Sequence, residues 1–237
     1  MINLMNEKLR YLKKYNKKIN LLSIEDARKI DENLIPIEWR LIIEEDNFEN
    51  QKKILLLIWA KYIRENLINT IEYLYHNLID IDIIEFNNKY SILYTIKNTK
   101  GSILYYEGKN PLDENNTNLN LEWTKIPIEI RTFYNKIHNG FYYYASESMG
   151  FIPINQIKKL SDDEFDWSII HSLKRPLDIS LDSSITIFTN GMGSYLVIDL
   201  NNCENKNGVF WSSKMEPVYN IDFWKYADEW FILGFES

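Results

Sequence analysis

Cysteine, histidine, glycine and proline are all scarce in this chain of 237 residues. One cysteine and three histidines exclude an internal disulfide and a zinc site built from cysteines, and so few thiols are typical of a reducing compartment. Eight glycines and six prolines argue against long flexible linkers. The longest apolar run, residues 54–60, is far shorter than the roughly 20 residues that span a bilayer. The first residues also lack the uninterrupted apolar stretch of a signal peptide, so we expect a cytoplasmic protein.

Sequence signatures of catalysis are missing as well. Gly191 and Gly193 resemble the start of a dinucleotide fingerprint, but the third glycine is absent and a strand follows instead of a helix. Cys203 stands beside Glu204, and a neighbouring carboxylate disfavours the reactive thiolate. His138 closes a predicted helix, where capping the helix end is a sufficient role. We therefore expect no catalytic residue, no metal site and no cofactor, and predict that the protein is not an enzyme.

Charge is distributed unevenly along a chain whose composition is otherwise that of an ordinary globular domain. The net charge is −7. Residues 1–110 carry 17 Lys+Arg against 16 Asp+Glu, whereas residues 111–237 carry 10 against 18, a net of −8. An acidic second half would attract a basic protein and argues against a nucleic-acid binder. Solubility alone would also account for an acidic domain.

One acidic run is the candidate partner-binding site. It comprises Asp162, Asp163, Glu164, Phe165, Asp166 and Trp167. Its carboxylates would raise the rate of association with a basic protein, and its two aromatic side chains would slow dissociation. The run lacks the alternating oxygens and central glycine of a calcium loop. A helix N-terminus or a solvated loop are the alternative interpretations.

Apolar spacing in the first half predicts mostly helices. An amphipathic helix with a basic outer face is expected over residues 4–18, a short helix after Ser23, and a third after Pro36. Residues 51–78 read as one long helix, or as two with a break near Asn66. Residues 90–96 and 102–106 then form a predicted β-hairpin around a turn at 98–101.

The second half reads as a mixture of helices and strands. After a polar loop over residues 108–120, a helix is expected over 127–139, with Gly140 as its left-handed stop. Strands are predicted at 184–189, 195–200 and 209–212. A final helix would begin after Asp222 and end at Gly234. Helices followed by strands predict one α+β unit with residues 184–212 in a central antiparallel sheet.

Several segments between residues 120 and 237 together resemble the SMI1/KNR4 (SUKH) superfamily. They are, in order, IPIEIRTFYNKIHNG (126–140), GFIPINQI (150–157), NGMGSYLVID (190–199), VFW (209–211) and FWKYADEWF (223–231). The first resembles the family's helix that begins with proline and ends in Asn-Gly, and the last resembles its closing helix. Ser194 departs from the family, where an acidic residue is frequent. Residues 1–110 resemble nothing known to us.

The resemblance implies a SUKH-like antiparallel sheet flanked by helices. Residues 1–110 are then a helix-rich extension packed on it, since the hairpin at 90–106 would be marginal alone. Bacterial members of the family resemble immunity proteins, which occlude the site of a cognate toxin, often a nuclease. Fungal members resemble regulatory scaffolds of cell-wall synthesis. We accordingly expect an immunity protein for a basic protein toxin, with no nucleic-acid or membrane partner; the alternative is a regulatory or scaffold protein with another protein partner.

Overall fold

The computed structural model describes residues 2–113, 123–162, 167–202 and 207–237. Its helices are α1 (Ile2–Tyr15), α2 (Ile24–Ala27), α3 (Ile37–Glu44), α4 (Phe48–Ile63), α5 (Ile68–Asn77), α6 (Ile128–Lys136) and α7 (Phe223–Phe235). Its strands are β1 (Asn20–Leu21), β2 (Leu78–Phe86), β3 (Lys89–Lys97), β4 (Ile103–Lys109), β5 (Phe141–Tyr143), β6 (Ser148–Phe151), β7 (Ser184–Thr189), β8 (Ser194–Asp199), β9 (Asn207–Ser212) and β10 (Val218–Asp222). None of the helices within these ranges has the length and apolarity needed to cross a membrane.

All ten strands belong to one antiparallel sheet, and their spatial order is their order in the chain. Each strand therefore pairs only with its neighbours in sequence, and β4 pairs with β5 to join the two halves of the chain. The predicted α+β class with an antiparallel sheet is confirmed. Residues 184–212 contribute β7, β8 and β9, close to one end of the sheet. The sequence patterns did not predict β2, which follows α5 directly.

The main hydrophobic core lies between one face of the sheet and the helices α3 to α7. Its centre is aromatic: the ring of Trp59 lies 5.7 Å from that of Phe133 and 5.1 Å from that of Phe141. Phe231 of α7 packs on Phe141 at 5.5 Å and on Phe188 at 4.8 Å. These edge-on and tilted contacts are the geometry that aromatic rings prefer. Both halves of the chain therefore contribute to a single core.

The opposite face of the sheet carries two smaller clusters. Under α1, the buried residues are Leu12, Ile19, Leu21, Ile84, Leu93, Tyr105 and Tyr144. Towards the other end, they are Leu160, Trp167, Val197, Val209 and Trp211. The sheet is thus covered on one face by helices and on the other by α1 and by the segment that includes residues 167–181.

The basic face predicted for the first helix is only partly solvated. Lys8 of α1 is 2% exposed, and its Nζ contacts Asp82 and lies 2.7 Å from Asp80 Oδ2. Burial alone would lower the pKa of Lys8, but the two carboxylates outweigh it and hold the pKa above its usual value. Arg10 and Lys13 do face solvent, as expected. The buried Lys8 therefore attaches α1 to β2 through ion pairs with two partly exposed carboxylates.

Helix boundaries were predicted well with one exception. Of the two alternatives for residues 51–78, the structure has two helices, with the break near Asn66 between α4 and α5. Ser23 Oγ accepts from Asp26 N at 3.1 Å to begin α2. Gly140 has φ +91°, the left-handed conformation expected of it after α6. The exception is Gly234, which lies within α7 rather than ending it. A Cβ there would collide with Tyr106 Oη, so close packing explains this glycine.

A buried carboxylate from α7 completes the start of α5. Leu67, the residue before α5, provides no side-chain cap. Instead Asp228 accepts from the backbone N–H groups of Asn69 and Thr70 at 3.0 and 2.7 Å, and from both side chains at 2.8 and 2.6 Å. An anion at a helix N-terminus satisfies free N–H groups and interacts favourably with the helix dipole. The last helix is thereby joined to the first half of the chain.

Both ends of the sheet are irregular. The first strand, β1, has two residues and pairs with Ile84 and Glu85 of β2. Further along β2, Ile81 N donates to Asp80 Oδ1 at 3.0 Å. At the other end, β10 contains a register shift between Val218 and Ile221, with Asn220 in the left-handed region at φ 57°.

Candidate partner-binding surfaces

The predicted acidic site follows, in the chain, the isolated bridge between Lys159 and Ile185 of β7. Residues 163–166 are outside the described residues, so of this site the structure places Asp162 and Trp167. Asp162 Oδ2 accepts from Lys159 N at 3.1 Å and so closes a local turn. Its exposure is intermediate. The carboxylates of the run stay a prediction. The polar loop expected over 108–120 begins at Asn110, after β4, and its residues 114–120 also lie outside the described residues.

Trp167 is a core residue rather than an exposed aromatic. It is 8% exposed, and its Nε1 donates to the carbonyl oxygen of Leu160 at 2.8 Å. Its ring packs edge-on against Trp211 at 5.5 Å and against Tyr195 at 6.0 Å. We conclude that the indole holds residues 167–181 against β8 and β9. A contact with a partner would have to use its small exposed edge.

Other carboxylates share the same end of the sheet. The exposed ones include Asp178, Asp182, Glu216 and Asp222, alongside the exposed cations Lys174, Arg175, Lys214 and Lys225. A cleft of about 50 Å³ opens between Asp178, Asp199 and Tyr219. Asp199 is 7% exposed and accepts from Ser183 Oγ at 2.6 Å, so it holds the chain together locally.

The outer side of the helical layer carries a larger concave surface that the sequence analysis missed. A groove of about 750 Å³ runs between α4 and α5, which we call the α4/α5 groove. Leu57, Ile68 and Tyr75 line it and are 58%, 52% and 60% exposed. The apolar spacing of residues 51–78 predicts a largely buried segment, and these three exposed side chains contradict that prediction. Apolar residues of α4 occur outside the one face that a helix needs to bury. This excess is the sequence signal that indicates an exposed apolar surface on α4.

His138 is not a surface helix cap. It is 1% exposed, and its Nε2 lies 2.6 Å from Tyr94 Oη, which in turn accepts from Trp59 Nε1 at 2.9 Å. Its Nδ1 faces the backbone of Lys109 without a well-formed hydrogen bond. Burial lowers the pKa of His138 to about 3, so the ring is neutral at physiological pH. A histidine so enclosed serves the core and not a reaction with a solute.

Glu107 is another titratable group in a largely enclosed position, partly accessible through a cleft. Ser91 Oγ donates to its Oε1 at 2.8 Å and Tyr142 Oη donates to its Oε2 at 3.2 Å. Burial raises the pKa of Glu107 above its ordinary value, although Lys109 opposes the effect. The adjoining cleft holds about 90 Å³. Both oxygens are satisfied by the protein itself, which gives the carboxyl a structural role.

The described residues contain no group of three or more His, Cys, Asp and Glu side chains that could hold a metal ion. Cys203, expected to be a free thiol, lies outside the described residues, and that expectation stays a prediction. A scan against protein-family models found no match. Searches of the curated proteins and of the solved structures likewise found none.

Proposed function

We propose that this chain is a protein-binding module of the SMI1/KNR4 (SUKH) type that neutralises a cognate basic protein toxin by occluding its site. The observation that supports the proposal is that the two ends of the sheet come from halves of the chain with different net charges. The strands follow the order of the chain, so the near-neutral residues 1–110 form the β1–β4 end. Strands β5 to β10 come from residues 111–237, the half of the chain whose sequence carries the net charge of −8.

An asymmetric charge distribution favours one orientation of an approaching protein. A basic partner is attracted to the β5–β10 end, and the exposed lysines of α1 repel it from the other end. The acidic run contributes four carboxylates to this field. Nucleases and other proteins that bind phosphate are commonly basic on the surface that does so. An acidic protein that covers such a surface competes directly with the nucleic acid.

The alternative function is a regulatory or scaffold protein of the same fold. The α4/α5 groove favours it, because it offers a second concave surface, on helices from the first half of the chain. A scaffold needs more than one docking surface, whereas an inhibitor needs one. Growth of cells that express the product of the neighbouring gene, with and without this chain, distinguishes the two functions. Rescue of growth is expected for an immunity protein and not for a scaffold.

The acidic run is tested by binding kinetics of the purified pair. In the test variant Asp162, Asp163 and Asp166 become Asn and Glu164 becomes Gln. In the control, four exposed carboxylates of the first half, Glu25, Glu32, Glu44 and Glu65, become Gln. Both variants lose four negative charges. A difference between their association rates is therefore due to where the charges lie and not to the net charge.

We expect the test variant to associate about tenfold more slowly at low salt, with little change in dissociation and a weaker dependence on salt. The control should stay within about twofold of the native rate. Equal association rates for the two variants would remove the acidic run from the proposed surface.

A further inference from the structure

We propose that the α4/α5 groove docks an amphipathic helix of another protein, one whose apolar stripe is bordered by carboxylates. The proposal concerns a different surface from the acidic run and does not depend on the proposed toxin.

The shape of the groove matches one face of a helix. α4 and α5 are joined by a short connection, and Lys52 Nζ at the start of α4 lies 5.9 Å from the ring of Tyr75 near the end of α5, so the two helices run antiparallel. Leu57 and Ala60 form one wall, and Ile68 and Ile71 belong to the other. Residues 53 to 64 span about 16 Å along α4, or three turns. A helix of similar length can pack between two such ridges.

Both walls of the groove expose large apolar side chains to solvent. Single exposed apolar residues are ordinary on protein surfaces, but Leu57, Ile68 and Tyr75 converge on one concavity, each more than half exposed. On the far side of α5 a second hollow of about 650 Å³ includes Leu233, which is 63% exposed. Concave apolar surfaces with a few polar groups at the rim are typical of sites where a partner helix is anchored.

The charges at the rim select the partner. Lys53 and Arg64 stand towards the two ends of the α4 wall, both exposed and with no ion pair among the described residues. Lys52 is already paired with Glu49, at 3.0 Å. The α4 wall is therefore basic in a chain whose net charge is −7. A helix with carboxylates about three turns apart, on the side that faces α4, would neutralise both cations.

The α5 wall determines which flank of the partner helix faces α5 and which faces α4. It carries Glu72, which belongs to the linings of both hollows, and Tyr75, with an exposed hydroxyl-bearing ring. A second acidic flank facing α5 would be repelled by Glu72. The complementary partner is thus acidic on one side of its apolar stripe and neutral or basic on the other.

The test uses the full chain and two labelled synthetic helices of about 18 residues, followed by fluorescence anisotropy. Both peptides have the same apolar stripe; one carries glutamates on the flank next to it, and the other carries lysines there. The test variant combines Lys53→Glu with Arg64→Glu. The control combines Lys13→Glu with Lys17→Glu, which changes the net charge equally at exposed positions in and just after α1, on the other face of the sheet.

We expect saturable binding of the acidic peptide and at least tenfold weaker binding of the basic one, a difference of about 1.4 kcal/mol. The test variant should reverse this preference, and the control should not. Leu57→Ser and Tyr75→Ser, both at exposed positions, should each weaken binding of the acidic peptide about tenfold while leaving the unfolding transition in place.

Three results would overturn the proposal. One is the absence of saturable binding of the acidic peptide up to about 100 μM, the weak end of specific docking. Another is equal affinity for the two peptides or an unchanged preference in the test variant, which would indicate non-specific apolar contact. The third is a dimer in sedimentation that Leu57→Ser converts to a monomer, which would assign the groove to a second copy of this chain.

Discussion

The neutral histidine in the core makes the free energy of unfolding depend on pH through a single residue. His138 has an ordinary pKa of 6.5 in the unfolded chain, and burial lowers the pKa to about 3 in the folded chain. Between these values the unfolded chain binds a proton that the folded chain does not. The contribution of His138 is therefore complete above pH 6.5 and is lost as the pH falls towards 3, by about 1.4 kcal/mol per pH unit.

Denaturant unfolding of the native chain and of His138→Gln, between about pH 7.5 and 4.5, measures this contribution. The difference in unfolding free energy between the two proteins should shrink as the pH falls. Glu107 and Asp82 act in the opposite sense, because burial raises the pKa of each. Both are present in native and variant chains and cancel in the difference. His171→Gln, at an exposed position, is the control; a pH-independent difference for His138→Gln would contradict the assignment.

Trp167 illustrates how a residue chosen for binding can serve stability. Replacing it by Ala removes its contacts with Trp211 and Tyr195 and its hydrogen bond to Leu160. We expect a loss of about 3–5 kcal/mol in the free energy of unfolding, the usual range for a buried aromatic. Phe210→Ala, at a partly buried position on the same strand as Trp211, should cost less. An unchanged free energy for Trp167→Ala would place the ring at the surface.

At the scale of elements, the contact between α7 and α5 depends on one carboxylate. Asp228→Asn keeps the shape of the side chain but removes the charge and sets an NH₂ group against the N–H donors of Asn69 and Thr70. We expect a loss of about 2–4 kcal/mol in unfolding free energy, measured by urea denaturation. Glu229→Gln, the exposed neighbour, should change it by less than about 0.5 kcal/mol. Equal effects at the two positions would argue against the cap.

Periodicity in the sequence predicted most elements because most are defined by their own residues. The break near Asn66 and the stop at Gly140 follow from local spacing and from backbone preference. The sequence pattern did not predict strand β2, because its alternating Asp80 and Asp82 are typical of a solvent-exposed face. Their partner Lys8 lies 72 and 74 residues away in the chain.

The same limit applies to the candidate surfaces. The cap by Asp228 joins residues 158 and 159 positions apart, and no local pattern reports such a contact. Trp167 was chosen because it adjoins an acidic run, but its burial depends on strands β8 and β9 and on Trp211. The α4/α5 groove exists only once two helices are set side by side. The difference in charge between the two halves, by contrast, is visible in the sequence. Because the strands lie in chain order, the two halves of the sequence become the two ends of the sheet.

The whole molecule should unfold as one unit. Tyr106, Glu107 and Gly108 of β4 pair with β5, and the single core contains residues from both halves of the chain. Loss of either half would expose the other half's share of that core. We therefore expect one transition in denaturant, with far-ultraviolet circular dichroism and tryptophan fluorescence changing together. Two separate transitions would show that residues 1–110 and 120–237 fold independently.

The irregular ends of the sheet restrict how any other chain can attach. An exposed strand edge is a template on which foreign strands assemble, in recognition and in amyloid alike. Here β1 offers two residues, the amide of Ile81 is occupied by Asp80, and the bulge at Asn220 interrupts the outer edge of β10. Neither edge of the ten-stranded sheet therefore offers a regular strand with which a further strand could pair. Association is directed to side chains on the helices and segments that cover the sheet, where it can be selective and reversible, and away from polymerisation through the backbone.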